Sequence, residues 1–244
     1  MPRSPISSKP ARLTLLLLAL LAPAALAQGN PVSGSPLSSI FDKVAGQAEA
    51  GAPAPATQTA PVSDRVLTYK PSAAVSADLR RAFIDGIITA GRQNGTLNAA
   101  TEKEVRDGFG RIDIAAEYQK FLKPKGYDAY NVVTAMTLYV VSSFEALDDF
   151  ESTDAQDRAT YEQFKRAFAG VPAVTRMTDA DKQKFAEALM WLTAFQGNDV
   201  EQARKSPEGD RLEAVKTQIK GSLREFKIDP DRVMLGAKGL VARE

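Results

Sequence analysis

Residues 129–148 constrain this chain more than any other part of it. They carry Val132, Val133, Met136, Leu138, Tyr139, Val140, Val141, Phe144 and Leu147. On a helix those positions are apolar nearly all round, rather than along one stripe. Such a helix is stable only when other elements cover it on every side. The rest of the sequence has to supply the cover, and its periodicity is helical.

Val75, Leu79, Phe83, Ile87 and Ala90 repeat at helix spacing, and Asn94-Gly95 ends the run. A second segment, 98–122, places Val105, Phe109, Ile112 and Ala116 on one face, with a kink expected at Gly108-Phe109-Gly110. After the central helix, 154–169 offers Tyr161, Phe164 and Phe168 as its stripe. Thr178 then reads as an N-cap, with Asp181 three residues on. The helix it opens presents Phe185, Leu189, Leu192 and Phe195, with Ala188, Met190 and Trp191 widening the face. It either breaks near Gly197-Asn198 or runs on to Lys205. A sixth helix, 208–227, rests on Leu212, Val215, Ile219, Leu223 and Phe226. Asp229-Pro230 is expected to start a short last helical turn. No period-two run is long enough to demand a strand, and the Gly-interrupted tail from Leu235 to Val241 is expected to pack as an extended arm. The expected fold is all-α: a single bundle of about six helices around a central apolar one.

Ahead of the bundle the sequence changes character twice. Arg3, Lys9 and Arg12 precede the apolar run Leu13-Thr14-Leu15-Leu16-Leu17-Leu18-Ala19-Leu20-Leu21, and Ala25-Leu26-Ala27 follows Pro23. A basic start, a short apolar core and small residues at a cleavage point are the parts of a secretory signal peptide, expected over 1–27. The run is too short for a membrane span, which takes about 20 apolar residues. Residues 28–65 are rich in Ala, Pro, Gly, Ser and Thr and are expected to be a disordered spacer. Leu37, Ile40, Phe41 and Val44 form one apolar island in it. The domain proper is expected over 66–244. The destination is then the periplasm or the cell exterior, with no stable membrane span after cleavage.

With no histidine and no cysteine anywhere in 244 residues, the chain lacks the commonest metal ligand, the usual neutral-pH base and the thiol nucleophile. Disulfides are excluded too, so the core alone must hold the fold. Of 31 basic and 30 acidic side chains, removal of Arg3, Lys9 and Arg12 leaves 28 against 30, a net charge near −2. No nucleic-acid partner is expected from that balance. No cofactor is expected either.

Two carboxylates stand out. Glu145 and Glu187 each sit inside an apolar helical run. A carboxylate away from water must be paired or have its pKa raised, and a pair of carboxyls tuned apart is what glycoside hydrolysis uses. The plainer expectation is that each pairs with a basic group or caps a neighbouring helix, with Lys182, Lys184, Arg80, Arg81 and Arg158 as partners in reach. Asp148, Asp149, Glu151 and Asp154 form an acidic run of the oxygen-ligand kind that calcium takes. Counted from Asp149, however, Asp154 stands where an EF-hand needs glycine, and Thr160 where it needs glutamate. Met136, Met190 and Trp191 would mark the lining of a small apolar-ligand carrier, or simply core.

Several strings resemble one family. They are Tyr69-Lys70-Pro71-Ser72, Tyr127-Asp128-Ala129-Tyr130-Asn131-Val132, Tyr139 with Phe144-Glu145-Ala146, Ala186-Glu187-Ala188-Leu189, and the close through Ile228-Asp229 and Leu235 to Gly239-Leu240-Val241. Together they resemble a bacterial exported helical family known as domain of unknown function 6683, over about residues 66–241. The resemblance implies one exported helical domain and brings no activity, cofactor or catalytic residue with it. The function expected is that of a non-enzymatic binding or scaffolding module for a protein or cell-envelope partner. A glycan hydrolase using Glu145 and Glu187, and an apolar-ligand carrier, are the alternatives. The oligomeric state is not written in the sequence.

Overall fold

A computed structural model describes residues 63–93, 95–169, 171, 176–207 and 210–243. The expected signal peptide and nearly all of the expected spacer, its apolar island included, lie outside the described residues.

Helix ends follow local chemistry. Ser63 caps α1 (Asp64–Leu67), the first helix among the described residues, and Leu67 is fully buried. Helix α2 spans Ala73–Gln93. Asn98 and Thr101 form a reciprocal capping box that opens α3 (Ala99–Phe109). The single kinked helix expected over 98–122 is in fact two. The chain leaves helical geometry after Gly110, and the Asp113 side chain accepts from Ala116 N–H to start α4 (Ile114–Leu122). An N-cap aspartate before an apolar run gives a new start, not a bend. A 3-10 turn, Lys123–Lys125, ends at Gly126 with φ 81°.

Central helix α5 runs Val132–Asp148, capped by Asn131 and closed by Asp149 in the left-handed region. From Val132 to Ala146 every residue but Ser142 is buried, as its all-round apolarity requires. Helix α6 (Asp154–Ala169) returns antiparallel to it. Helix α7 runs Asp179–Lys205 from the predicted Thr178 N-cap, which forms a reciprocal capping box with Asp181. It passes Gly197 and Asn198 without a break. Helix α8 is Arg211–Glu225.

Neighbour directions follow from side-chain contacts. Lys182 Nζ at the start of α7 donates to Thr68 O, and Thr68 bridges Asn131 at the start of α5. Further along, Gln196 Nε2 donates to Ser143 Oγ. Helices α5 and α7 are therefore parallel. The same holds for α2 and α7: Ser72 and Ser76 meet Gln183 and Glu187, and Phe83 meets Trp191 and Phe195.

The end of the chain departs from expectation. Asp229-Pro230 opens no helix. The Asp229 carboxylate accepts from Asp231 N–H and its carbonyl from Arg232 and Val233, a turn that feeds a strand. Strands β1 (Val233–Gly236) and β2 (Gly239–Ala242) form an antiparallel hairpin instead of an arm, with Leu235 opposite Leu240. Four-residue strands are too short to show a period of two. Their signal is the Gly236-Ala237-Lys238-Gly239 turn, in which Gly239 takes φ 93°.

The hairpin straddles α6. Gln163 receives Leu240 N–H at 2.8 Å and donates to Leu240 O at 3.1 Å, while Gln156 donates to Leu235 O at 3.3 Å. The two glutamines are seven residues apart, about 10 Å along a helix, a spacing that suits the outer edges of a two-stranded ribbon.

Candidate functional site

The polar centre of the domain is a nest around Glu187. Residues 68–76, which lead from α1 into α2, are strapped along the first turns of α7. Gln183 is the buckle: its Oε1 accepts from Ser72 N–H at 2.8 Å, and its Nε2 donates to Ser72 O at 2.9 Å and to Ser76 Oγ at 2.8 Å. Glu187 Oε1 accepts from Ser76 Oγ at 2.7 Å and from Gln183 Nε2 at 2.8 Å. Lys70 N–H reaches Asp179 at 3.2 Å.

Burial raises the Glu187 pKa, and the Ser76 and Gln183 hydrogen bonds oppose the rise; Asp113 adds to it and Arg80 works against it. Tyr69 lies beside this carboxyl with its ring edge-on to Tyr130, centroids 5.8 Å apart. The Tyr69 hydroxyl is buried without a hydrogen-bond partner. Burial holds its phenol far above the usual range, and the charge of Glu187 pushes it further. The Thr134 hydroxyl, on α5, is also buried and unpartnered.

Glu145 sits elsewhere. Its Oε1 accepts from Ser152 N–H at 2.7 Å, and Ser152 Oγ donates to Asp157 at 2.7 Å. It fixes the loop from α5 into α6. Burial lowers the Lys125 pKa, while Asp157, Asp154 and Glu145 act against that fall. Beside this cluster the Arg158 guanidinium lies 4.5 Å from the Tyr127 ring centroid and 5.8 Å from that of Tyr161.

The two glutamates do not share a site. With α5 and α7 parallel and Ser143 level with Gln196, Glu187 lies level with Thr134. That is 11 residues from Glu145, or about 16 Å along the helix. Paired glycosidase carboxyls stand about 5–10 Å apart.

The acidic run is likewise divided. Asp148 binds Arg243 at 3.0 Å, Asp149 pairs with Arg204, Asp154 begins α6, and Glu151 is exposed. Among the described residues no three His, Cys, Asp or Glu side chains converge as metal ligands. Trp191 packs in a four-ring cluster with Phe83, Phe109 and Phe195, at centroid distances of 5.7–6.0 Å. Met136 and Met190 are fully buried.

Sequence reasoning passed over Tyr69, Thr134 and Asp199. A tyrosine before Lys-Pro and a threonine in an apolar helix carry no signal of lacking a partner. Asp199 follows Gly197-Asn198, where a helix break was one expectation, yet it is buried within α7.

The chain belongs to the family described as "Family of unknown function (DUF6683)", whose model matches residues 42–243. No curated protein and no solved structure matches it. Among the described residues no helix is long and apolar enough to cross a membrane.

Proposed function

We propose that this is an exported helical binding module: a leader cleaved after Ala27, a spacer, and a domain that presents its outer helix faces to a protein or cell-envelope partner in the periplasm or outside the cell. One observation carries the non-enzymatic reading. Glu145 and Glu187 are spent on holding chain segments, one at each end of the α5–α7 pair. Glu145 accepts a main-chain N–H and Glu187 accepts from the Ser76 hydroxyl and the Gln183 amide, hydrogen bonds to a charged group that tie one chain segment to another.

The test separates brace from catalyst. Glu145→Gln should lower the unfolding free energy by about 1–2 kcal/mol, and neither the wild type nor Glu187→Gln should release reducing ends from bacterial cell-wall glycan. Glycan cleavage that Glu187→Gln abolishes at an unchanged melting temperature would overturn the reading. For export, the protein recovered outside the cytoplasm should begin at Gln28 by N-terminal sequencing; material still starting at Met1 would defeat that part.

A further inference from the structure

Hydroxyls inside these helices have a usual partner. Those of Thr89, Thr137, Ser143, Thr160 and Thr193 each donate to the carbonyl four residues back, at 2.8 Å. Thr134 departs from the pattern. It is 1% exposed, and among the described residues its hydroxyl has no partner. The carbonyl four back belongs to Tyr130, which precedes the Asn131 cap of α5 and accepts from Tyr69 N–H at 3.0 Å.

Tyr69 itself carries a second unpartnered hydroxyl, and it is 4% exposed. Its place is fixed by contacts on both sides of it in the chain. Thr68 bridges Asn131 at the start of α5 and receives Lys182 Nζ from α7, and Ser72 is buckled to Gln183. Tyr69 therefore lies where the first turns of α5 and α7 face each other, with Thr134 on one and Glu187 level with it on the other. The bonds that Glu187 accepts from Ser76 and Gln183 both fall on Oε1, which leaves Oε2 for a further donor. The charge of Glu187 acts on the Tyr69 phenol, yet no hydrogen bond joins the two. Buried polar groups that are near each other but out of bonding range are where a bridging water belongs.

We propose that the strap of residues 68–76 closes over one bound water, held by Tyr69 Oη, Thr134 Oγ1 and Glu187 Oε2. The water accepts from the two hydroxyls and donates to the carboxylate. Three bonds are the usual number for a buried water, and they satisfy both hydroxyls at once. Water is the ligand, rather than a larger polar molecule, because the groups that hold it are closed off from solvent: Glu187, like Tyr69 and Thr134, is buried, at 2% exposure. The strap, α5 and α7 then share one polar joint. The inference does not depend on the binding-module reading.

In a high-resolution crystal structure of the full chain, one water-sized density peak should lie about 2.5–3.0 Å from all three atoms. In denaturant melts Tyr69→Phe, which keeps the ring, should raise the unfolding constant by about tenfold, because the water and Glu187 lose a bond. Thr134→Val should act in the same direction. The double variant should cost clearly less than the product of the two, since both act through one water. Thr137→Val removes a hydroxyl of the same helix that has its own partner, Val133 O; its effect should multiply in full with that of Tyr69→Phe. A phenol with nothing to bind predicts the reverse, a lower unfolding constant in Tyr69→Phe. That result, full additivity of Tyr69→Phe with Thr134→Val, or density showing a direct Tyr69–Glu187 bond or a larger group in place of the water would overturn the proposal.

Discussion

Gln163 does for β2 what a third strand would do. Its amide both accepts from and donates to the main chain of Leu240, and its side chain is buried. An edge strand left against a helix without such a partner would carry an unpaired N–H and C=O away from water. Gln163→Leu keeps the bulk and removes both bonds. It should cost about 2–4 kcal/mol, read as a drop in the denaturant midpoint, since each buried backbone group left unpaired costs about 1–3 kcal/mol. The position is unforgiving for a second reason. At Gly239 an added Cβ would stand 2.5 Å from Gln163 Oε1 and 3.3 Å from the Ala159 main chain. Neither role was legible beforehand: a glutamine on the polar side of an amphipathic helix looks the same whether it meets water or a strand edge.

Among the elements, α5, α6 and α7 were the most legible, α5 and α6 from side-chain character and α7 from its capping residue as well. All-round apolarity predicted the burial of α5, and Thr178 with Asp181 marked the start of α7. Phe144 lies fully buried in α5. Phe144→Ala should therefore cost about 3–5 kcal/mol in denaturant melts, whereas a ring on an outer face would cost well under about 1 kcal/mol. The hairpin and the α3–α4 break were harder to see. Both depend on single residues, Gly239 and Asp113, whose effect is local while periodicity averages over many positions. The nest around Glu187 was half legible. A buried acid announces itself in an apolar run, but the strap of residues 68–76 that satisfies it is more than 100 positions away in sequence.

For the molecule as a whole, the described residues begin at Ser63, and the family match extends back to residue 42. A chain starting at Ser63 should melt as cooperatively as one starting at Gln28. A chain starting at Thr68 loses the fully buried Leu67 and the Asp64–Lys165 pair at 2.7 Å, and should be less stable by about 2–4 kcal/mol. Calorimetry of the three chains checks both expectations.

The glutamine clasp also works as a timer. Gln156 and Gln163 are 79 and 77 residues ahead of the carbonyls they bind. At about 5–20 residues per second of synthesis, α6 waits roughly 4–16 s for the hairpin to be made. Contacts so distant in sequence are late and slow to close. A nascent chain can form its helices early, yet the clasp closes only when residues 233–242 are free. A chain cut before Val233 should remain rich in helix yet lack the clasp.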